Sequence, residues 1–438
     1  MTINHNEIMS ALQAPQKHEA RQILSKARER KGLDWQEALC LLSAASADKQ
    51  IEEELSALAR EIKAELYGSR VVLFAPLYLS NYCVNGCVYC PFNCGNTAIP
   101  RRKLTQEEIR REVIALQDMG HKRLALESGE HPDYSPLDYI LESIDTIYSI
   151  KHRNGAIRRV NVNIAATTQE EYRRLKGAKI GTYLLFQETY HEETYRKIHP
   201  PVAGSVGMKH DYDYHLNAPA RAMAGGIEDI GLGVLFGLYQ DPLYEFAALL
   251  MHAQSLERIH GVGPHTISLP RIRSADGVRN DKTFGAGITD AAFIRIVAAL
   301  RVSVPYTGII VSTRESADCR LRALAAGVSQ ISGGSRTSVG GYSEAANREE
   351  SRKAAQFKIS DERSLDEIVQ WLLENDYLPS FCTACYNEGR VGEAFMGLVK
   401  GGKIKAHCQS NAQITLREYL TDYASEPTRL IAEKKGLL

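Results

Sequence analysis

The sequence predicts an α/β fold, and in particular a (β/α)8 barrel with a helical segment before it and a cysteine-rich tail after it. The main observation is that short apolar runs alternate with amphipathic segments between residues 71 and 332. Repeated strand–helix alternation is typical of a parallel sheet, and eight such units over roughly 260 residues suit a barrel. A doubly wound open sheet shows the same alternation and is the competing architecture.

Each element has its own sequence signal. Residues 1–68 carry apolar residues at helical spacing, and capping boxes start helices at Thr105 and Thr168. A third capping box, at Ser364, starts a helix over 364–375, after the alternating pattern has ended. We therefore expect a helical extension over 1–68, a barrel over 69–345 and a C-terminal domain over 346–438. The predicted strands are 71–79, 123–127, 160–165, 182–187, 230–236, 266–269, 308–312 and 328–332.

Composition excludes several classes of protein. The chain has 53 basic and 53 acidic residues, which argues against a nucleic-acid or anionic-membrane partner. No apolar run approaches the length of a membrane span, and residues 1–16 lack the apolar core of a secretory signal. Nine cysteines in such a chain are not expected to form a disulfide framework. We expect a cytoplasmic protein with reduced thiols.

Six of the nine cysteines form two groups of three. The groups are Cys83, Cys87 and Cys90 (CxxxCxxC), and Cys382, Cys385 and Cys408 (CxxC plus a distant cysteine). Thiolates are soft ligands for zinc, copper(I) or iron–sulfur clusters, and a closed zinc site needs four protein ligands. An iron–sulfur cluster held by only three cysteines keeps one iron open for chemistry.

Two structural alternatives remain for these triplets. Cys94 could complete a zinc knuckle or a ferredoxin-like site at the first triplet, since ferredoxin clusters take four cysteines. His407, or a more distant histidine, could complete a zinc site at the second. Otherwise Cys94, like Cys40 and Cys319, is expected to be an ordinary packed or loop thiol.

The first triplet, with Tyr89 immediately before its last cysteine, resembles the radical S-adenosylmethionine (SAM) superfamily. The resemblance implies that Cys83, Cys87 and Cys90 hold a 4Fe–4S cluster whose fourth iron chelates the amino and carboxylate groups of SAM. It also implies that Tyr89 packs near the adenine, and it favours the barrel over the open sheet.

The second triplet narrows the resemblance. Phe381-Cys-Thr-Ala-Cys-Tyr386, Gly389-Arg-Val-Gly-Glu393 and His407-Cys408 look like the C-terminal cluster domain of the radical SAM tyrosine lyases of iron-only hydrogenase maturation. The resemblance covers nearly the whole chain after residue 60. It implies cleavage of the Cα–Cβ bond of L-tyrosine to p-cresol and dehydroglycine, and then formation of carbon monoxide and cyanide on an auxiliary cluster with a labile iron.

The same resemblance implies partners and leaves two alternatives. The partners are L-tyrosine, an electron donor such as ferredoxin or flavodoxin, and the other hydrogenase maturation proteins. The thiamine-pathway tyrosine lyases (2-iminoacetate synthases) share the barrel and the first triplet but lack the second. A non-catalytic iron–sulfur scaffold would not need the polar residues at the strand ends.

Residues at the carboxyl ends of the strands are candidates for cofactor and substrate binding, because barrel active sites lie there. By resemblance, Ser128, Gly129 and Glu130 meet the SAM amino group. Gln187 and Glu188 lie near its ribose and methionyl groups. Arg196 follows within reach of a carboxylate, although a solvated helix arginine is the alternative.

Ser312 and Arg314 end the seventh strand, and the resemblance assigns them the substrate carboxylate, which arginine can bind bidentately. An ion pair of Arg314 with Glu315 is the alternative. His265 begins the sixth strand and is therefore predicted at the opposite mouth of the barrel. Imidazole is a good iron ligand, so His265 is the first choice for the labile iron, followed by His252 and His407.

Overall fold

The computed structural model describes residues 2–13, 19–275, 277–278, 287–343, 353–402 and 404–438, and it shows a closed parallel barrel. The strands that form the barrel neighbour one another in chain order, and the last pairs back to the first. Each predicted strand run overlaps one of them, so the barrel prediction is confirmed. The predicted boundary at 345/346 lies outside the described residues. The strands are β1 Arg70–Ser80, β2 Arg123–Ser128, β3 Lys151–His152, β4 Gly155–Ala156, β5 Arg159–Asn163, β6 Tyr183–Leu184, β7 Ile230–Gly233, β8 Thr266–Ser268, β9 Gly308–Val311, β10 Gln330–Ser332 and β11 Leu378–Ser380.

Helices surround the barrel and form both extensions. The predicted capping boxes at Thr105, Thr168 and Ser364 are present, each with the hydroxyl accepting from the backbone three residues on. The described helices are α1 His5–Gln13, α2 Ala20–Ala27, α3 Trp35–Ala47, α4 Lys49–Leu66, α5 Gln106–Asp118, α6 Leu137–Ser149, α7 Gln169–Gly177, α8 Glu192–Ile198, α9 Tyr212–Leu216, α10 Ala218–Ala224, α11 Pro242–His260, α12 Asp290–Ser303, α13 Ala317–Ala326, α14 Leu365–Glu374, α15 Ala384–Asn387, α16 Gly392–Lys400, α17 Ile404–Asp422 and α18 Glu426–Lys434.

The N-terminal helices form a second layer outside the barrel. Helices α3 and α4 pack against α12, and α1 and α3 pack against α11. Their apolar faces join the same continuous core as the barrel, and Gln254 of α11 donates to the Leu33 carbonyl at 2.9 Å. The helical character predicted for residues 1–68 is thus present, while the domain boundary itself stays a prediction.

Strand β11 was not predicted from the sequence. It pairs in parallel with the first three residues of β1, Arg70 to Val72. Helix α17 then packs on β11, with Phe381 stacked on Tyr419 at 4.8 Å between ring centroids. Three apolar or small residues with a central proline carry too weak a strand signal to be recognised. The pairing brings the cysteines that follow β11 to the amino-terminal mouth of the barrel.

Two further details differ from the sequence analysis. A short antiparallel hairpin, β3–β4, follows α6 and was not predicted. The strand predicted over 182–187 is only Tyr183–Leu184, although the amides of Leu185 and Gln187 still donate to the carbonyls of Gly231 and Gly233. No helix in the part of the chain that the structure describes is long and apolar enough to cross a membrane.

A buried ion pair ties the segment before α14 to the barrel, and it generates a stability prediction. Arg320 is fully buried and binds Asp361, which is 4% exposed and also accepts from Arg363 at 2.6 Å. Asp361→Asn leaves the Arg320 charge buried without compensation, so we expect a loss of about 3–5 kcal/mol in the free energy of unfolding. The measurement is the urea midpoint followed by circular dichroism.

Asp318→Asn is the matched control, because Asp318 is exposed and pairs with Arg322 across one helical turn at 3.6 Å. Its effect should stay within about 0.5 kcal/mol. Equal urea midpoints for the two variants would contradict the role given to Asp361.

Candidate active site

Two sites lie at opposite mouths of the barrel. The upper site is the loop that follows β1, with the carboxyl ends of the strands around it. The lower site is a cavity at the amino-terminal mouth, lined by Arg70, His265 and the second cysteine triplet. Strand β1 has 11 residues, so at about 3.3 Å per residue its ends are about 33 Å apart. Arg70 begins it at the lower site, and Cys83 follows its end at the upper site.

The first triplet is held in a loop fixed by backbone hydrogen bonds. Val84 N–H donates to the Glu130 carbonyl at 2.8 Å, and Cys90 N–H donates to the Cys87 carbonyl at 3.1 Å. Burial raises the pKa of all three thiols, to about 12 for Cys90, and neighbouring cysteines of the group raise the pKa of Cys87 and Cys90 further. Three cysteines that resist ionising as free thiols fit a metal site, because a bound metal cation supplies the missing positive charge.

The sulfur spacing argues against a single zinc ion at either triplet. Two thiolates on one zinc ion can be no more than about 4.6 Å apart, since each Zn–S bond is about 2.3 Å. In the described ranges, neither triplet has all three of its sulfurs within 4.8 Å of one another. The group that does meet this limit is Asp290, Glu315 and Cys319, and there Arg271 already binds both carboxylates. Larger iron–sulfur clusters therefore suit the triplets better.

The other cysteines stand apart from this arrangement. Cys40 and Cys319 are buried, and Cys94 is exposed at the end of the first loop, where its amide donates to the Asn85 carbonyl at 2.9 Å. These placements match the expectation of packed or loop thiols.

The turn after β2 supports the cysteine loop. Gly129 N–H donates to the Ser80 carbonyl at 2.9 Å, and a Cβ on Gly129 would lie 2.2 Å from the Tyr82 carbonyl oxygen and 3.2 Å from Cys83 Cβ. Glu130 accepts from the Asn85 amide at 2.6 Å. The predicted Ser128–Glu130 turn thus touches the first triplet directly, and only glycine fits at its centre.

Three other predicted cofactor residues lie around the loop. The Tyr89 hydroxyl is 3.0 Å from His199 Nε2. Gln187 is buried, and within the described part of the chain its side-chain nitrogen has no hydrogen-bond partner. Glu188 has φ +70°, which is unusual for a residue with a side chain, and its carboxylate lies 3.4 Å from Lys209 Nζ. Strained backbone of this kind concentrates at functional sites.

Arg196 does not join this group in the structure. Its side chain is 59% exposed on α8 and pairs with Glu192 one helical turn away at 2.6 Å. This is the geometry of a solvated helix arginine, so a contact of Arg196 with a cofactor stays a prediction that the geometry does not support.

Ser312 and Arg314 line a cavity inside the barrel, above the lower site. The Arg314 guanidinium stacks on Phe357, 3.5 Å from the ring centroid. Glu315 accepts from Arg271 at 3.0 Å and from Arg273 at 2.7 Å, so the alternative ion pair with Arg314 is not formed. No carboxylate in the described ranges pairs with Arg314, which leaves its charge facing this cavity.

Glu127 is a site candidate that the sequence analysis passed over. It lines the same cavity, at the register position opposite Asn163, which hydrogen-bonds its side chain. Burial raises the pKa of Glu127 to about 8, although Asn163 and Arg314 lower it. The position of Glu127 at the end of a strand could have predicted a role in the active site. It was not singled out because the turn that it begins was assigned to cofactor binding.

The second triplet lines the lower site as a group. Cys382 and Cys408 are buried, Cys385 is half-buried, and the Cys385 and Cys408 thiols hydrogen-bond to each other. That hydrogen bond is the main cause that lowers the pKa of Cys385, and Arg390 adds to it. Cysteines more than 20 residues apart in sequence thus meet only because β11 and α17 pack at this mouth.

His265 is at the lower site, as predicted. It lines the cavity with the three cysteines, its Nδ1 lies 3.4 Å from an Asp229 oxygen, and its ring lies 4.6 Å from that of Phe395. Burial lowers its pKa to about 4, so the imidazole is neutral and able to bind a metal. His252 instead contacts Tyr190 at 2.9 Å and His407 is exposed, and neither lines the cavity.

Arginines around the lower site were also missed. Arg70, Arg123 and Arg159 are the first residues of three neighbouring strands, β1, β2 and β5. Arg123 donates to the Cys382 carbonyl at 2.8 Å, and Arg159 lies 3.6 Å from Asp229. Their positive charge would offset the negative charge of a cluster held by thiolates. The sequence feature that could have predicted this group is an arginine at the first position of each of these strands.

The Gly129 contact generates a prediction about the upper site. Gly129→Ala forces the Tyr82 carbonyl and the Cys83 side chain to move, so we expect less than half of the wild-type iron and sulfide at the first triplet after reconstitution. Iron and sulfide analysis in a Cys385→Ser background, which isolates the upper site, measures this. Gly177→Ala is the control, because its Cβ would meet nothing within 4 Å. Equal iron content in the two variants would disprove the steric argument.

Comparison with known proteins agrees with this geometry. The radical SAM superfamily profile matches residues 77–251, and that of the Biotin and Thiamin Synthesis associated domain matches residues 268–378. The 2-iminoacetate synthase of Escherichia coli K12 is 28% identical over 75% of this chain and 81% of its own.

Two solved structures match almost the whole chain. The HydG of Carboxydothermus hydrogenoformans, an FeFe-hydrogenase maturase, superposes with a TM-score of 0.77 at 38% identity, covering 98% of this chain and 96% of its own. A second HydG superposes with a TM-score of 0.92 at 51% identity, covering 99% of this chain and 92% of its own. The chain therefore belongs to the radical SAM superfamily and, within it, to the HydG family of [FeFe]-hydrogenase maturases.

Proposed function

We propose that the protein is a radical SAM tyrosine lyase of hydrogenase maturation, which cleaves L-tyrosine at the upper site and completes carbon monoxide and cyanide at the lower one. The observation that carries the proposal is the placement of two cysteine triplets at opposite mouths of one barrel, with a substrate-sized cavity between them. Each triplet leaves one metal position open, so each mouth is suited to chemistry rather than to structure alone.

The upper triplet fits the cofactors of the superfamily. Cys83, Cys87 and Cys90 would hold the 4Fe–4S cluster, and the tight Gly129 turn brings backbone groups to its edge. Tyr89 and Gln187 would contact SAM, the latter with a buried amide still free for a hydrogen bond within the described residues. When bound, the cluster and SAM supply one-electron cleavage that begins radical chemistry. The protein supplies binding, orientation and exclusion of water.

The cavity beside the upper site suits tyrosine. Arg314 and Ser312 would bind the carboxylate, since an arginine fork matches a carboxylate and Arg314 has no described carboxylate partner. Phe74 and Phe186 line the walls, where an aromatic ring is favoured over water. Glu127 is the carboxyl group among the described lining residues, and it would face the substrate ammonium, whose charge would keep it ionised.

The barrel interior connects the two sites. Val72 lines the lower cavity and Phe74 the upper one, and the same two-residue step separates Gly308 from Ile310 and Gln330 from Ser332. Alternate residues of a strand point to one face, so the two cavities are successive layers of the same interior. A fragment of two carbons released above would reach the lower site without entering solvent.

The lower triplet would hold the auxiliary iron–sulfur cluster, and His265 the labile iron beside it. When bound, this cluster supplies the metal on which carbon monoxide and cyanide are completed. Arg70 and Arg123 keep the environment positive, which favours an anionic fragment and cyanide. An electron donor of the ferredoxin or flavodoxin class, the other maturation proteins and a reducing cytoplasm complete the proposal.

The second candidate is a 2-iminoacetate synthase, because relatives with that activity align over three quarters of the chain. Such an enzyme needs the upper site only. The lower site would then have no function, although it brings together Cys382, Cys385, Cys408 and His265. We therefore prefer a role in hydrogenase maturation over 2-iminoacetate synthesis. A scaffold without catalysis would in turn leave Arg314 and the tyrosine-sized cavity unexplained.

The role of Arg314 in binding the tyrosine carboxylate can be tested directly. Arg314→Ala removes a charge-assisted contact worth roughly 1.5–3 kcal/mol, so we expect the KM for tyrosine to rise about tenfold or more while SAM cleavage without tyrosine continues. Arg322→Ala, an exposed arginine on α13, is the control and should behave like the wild type. An unchanged KM in Arg314→Ala would remove this residue from the substrate site.

The division of labour can be tested with one variant in each triplet. Cys87→Ala should abolish p-cresol and therefore carbon monoxide, because the upper cluster is lost. Cys385→Ser should keep p-cresol, within about twofold, and lose carbon monoxide, because only the lower cluster is disturbed. Reconstituted protein is assayed with SAM, dithionite and tyrosine, by chromatography for p-cresol and by haemoglobin binding for carbon monoxide. Loss of p-cresol in a folded Cys385→Ser protein would contradict two independent stages.

His265→Ala refines the same experiment. It should keep p-cresol and most of the paramagnetic signal of the lower cluster, yet lose carbon monoxide together with one iron. Normal carbon monoxide with full iron would mean that another residue binds the labile iron.

A further inference from the structure

A separate pocket on the outside of the barrel has the composition of an anion site. It lies where the end of α4 meets α13, α17 and the residue before β11, and its empty volume is about 710 Å³. Among the residues that the structure describes, three cationic side chains and no acidic residue line it. We propose that this outer pocket binds a multiply charged oxyanion of the sulfate or phosphate class. The lining side chains that carry the argument are Arg60, Lys63, Tyr377, Lys405 and Gln409.

Lys63 is the centre of the argument. It is only 4% exposed, and its ammonium group lies over the Tyr377 ring, 4.3 Å from the centroid. In the described parts of the chain it has neither a hydrogen bond nor a carboxylate within 4 Å. A buried charge without a partner is costly, and lysines are rarely buried unless they are paired. The ring face offsets part of this cost, but it leaves the ammonium donors open to a ligand.

The other two cations have no described carboxylate partner either. Arg60 and Lys405 are exposed, and they reach the pocket from α4 and α17. The nearby carboxylates are already engaged elsewhere, so they do not neutralise the pocket. Those pairs are Glu61 with Arg28 at 3.4 Å, Glu65 with Arg30 at 2.6 Å, and Asp376 with Lys435 at 2.5 Å.

Among the described residues, the charged groups recorded near Lys63 are cations, and they come from four different elements. They are Arg60 on α4 itself, Arg301 on α12, Arg70 on β1 and Lys405 on α17. Burial is the main cause that lowers the pKa of Lys63 to about 7, and Arg301 and Arg70 lower it further. A bound dianion favours the protonated amine, so it raises this pKa and binds more tightly below pH 7 than above it.

A structural role for Lys63 is the competing explanation. It lies in the last turn of α4, where a cation interacts favourably with the carbonyl end of a helix. That effect accounts for one lysine at a helix end. It does not account for Arg60 and Lys405 converging on the same pocket with no acidic residue among its described lining, which is the feature that an oxyanion explains.

The outer pocket and the lower site share a neighbour. Arg70 affects the pKa of Lys63 and also lines the cavity with Cys382 and Cys385. On α17, Lys405 and Gln409 flank Cys408, which is a lower-site cysteine. Occupancy of the outer pocket would therefore change the electrostatic environment of the lower site. The binding proposal itself does not depend on the proposed function, and either can fail alone.

The test is to titrate sodium sulfate into the reconstituted full-length protein and to measure binding by isothermal titration calorimetry. Sulfate keeps its charge between pH 6 and pH 8, so any pH dependence belongs to the protein. We expect one saturable site, weakened about tenfold by Lys63→Met and about threefold by Arg60→Gln or Lys405→Gln. Lys151→Gln, an exposed lysine outside the pocket, should leave the affinity unchanged.

Further arms identify the ligand class and the mechanism. Binding of sulfate should be severalfold tighter at pH 6 than at pH 8, and Lys63→Met should lose this difference. Inorganic phosphate should compete with sulfate, whereas chloride at the same ionic strength should not. Arg60→Gln and Lys405→Gln change exposed residues and should fold normally. They therefore test sulfate binding at the pocket even if Lys63→Met fails to fold.

Three results would overturn the proposal. One is the absence of saturable sulfate binding at tens of millimolar. Another is equal affinity in the wild type and the Arg60→Gln, Lys405→Gln double variant, which would mean an adventitious ion only. The third is loss of helical stability in Lys63→Met without any change in sulfate affinity, which would assign Lys63 to the end of α4 instead.

Discussion

The parallel pairing of β11 with the first residues of β1 is the constraint on which the two-site arrangement depends. Strand β1 spans the barrel wall, so whatever is fixed to its two ends is held about 33 Å apart in one rigid frame. Its far end leads into the first cysteine loop. Its near end hydrogen-bonds to Leu378–Ser380, and Cys382 follows two residues later. Without this pairing the second triplet would have no fixed position relative to the barrel.

The charged groups around each cysteine triplet explain how the two ends of the barrel could each hold a metal cluster. At the upper site, burial raises the pKa of all three thiols, so a bound metal cation is what favours their thiolate form. At the lower site, arginines at the starts of three strands surround the cysteines and His265 stays neutral beside Asp229. The two mouths therefore differ in character. Lys209 supplies positive charge near Cys87 and Cys90 at the upper mouth, whereas three arginines at strand starts do so at the lower one.

Much of the fold and of the site was predictable because the signals are local. Strand runs, capping boxes and CxxxCxxC spacing depend on neighbours in sequence, and each appears in the structure. Arg314 and Ser312 were also placed correctly inside the barrel, since the end of a strand points to the active face. Strand β11 was missed because its three residues gain their structure from β1, not from their own propensity. Glu127 was missed because its raised pKa comes from burial, which a sequence does not display.

By itself, the sequence determined the barrel, the two sets of soft ligands and the polar residues at strand ends, because periodicity and ligand spacing are properties of the chain alone. Only the tertiary structure decided that β11 fixes the second triplet to β1, that Arg196 stays in solvent with Glu192, and that Lys63 is buried among other cations. The physical reason is that desolvation and charge pairing depend on distances across the fold. Residues from α4, β1, α12 and α17 come together around Lys63. The local sequence of any one of these elements does not predict that contact.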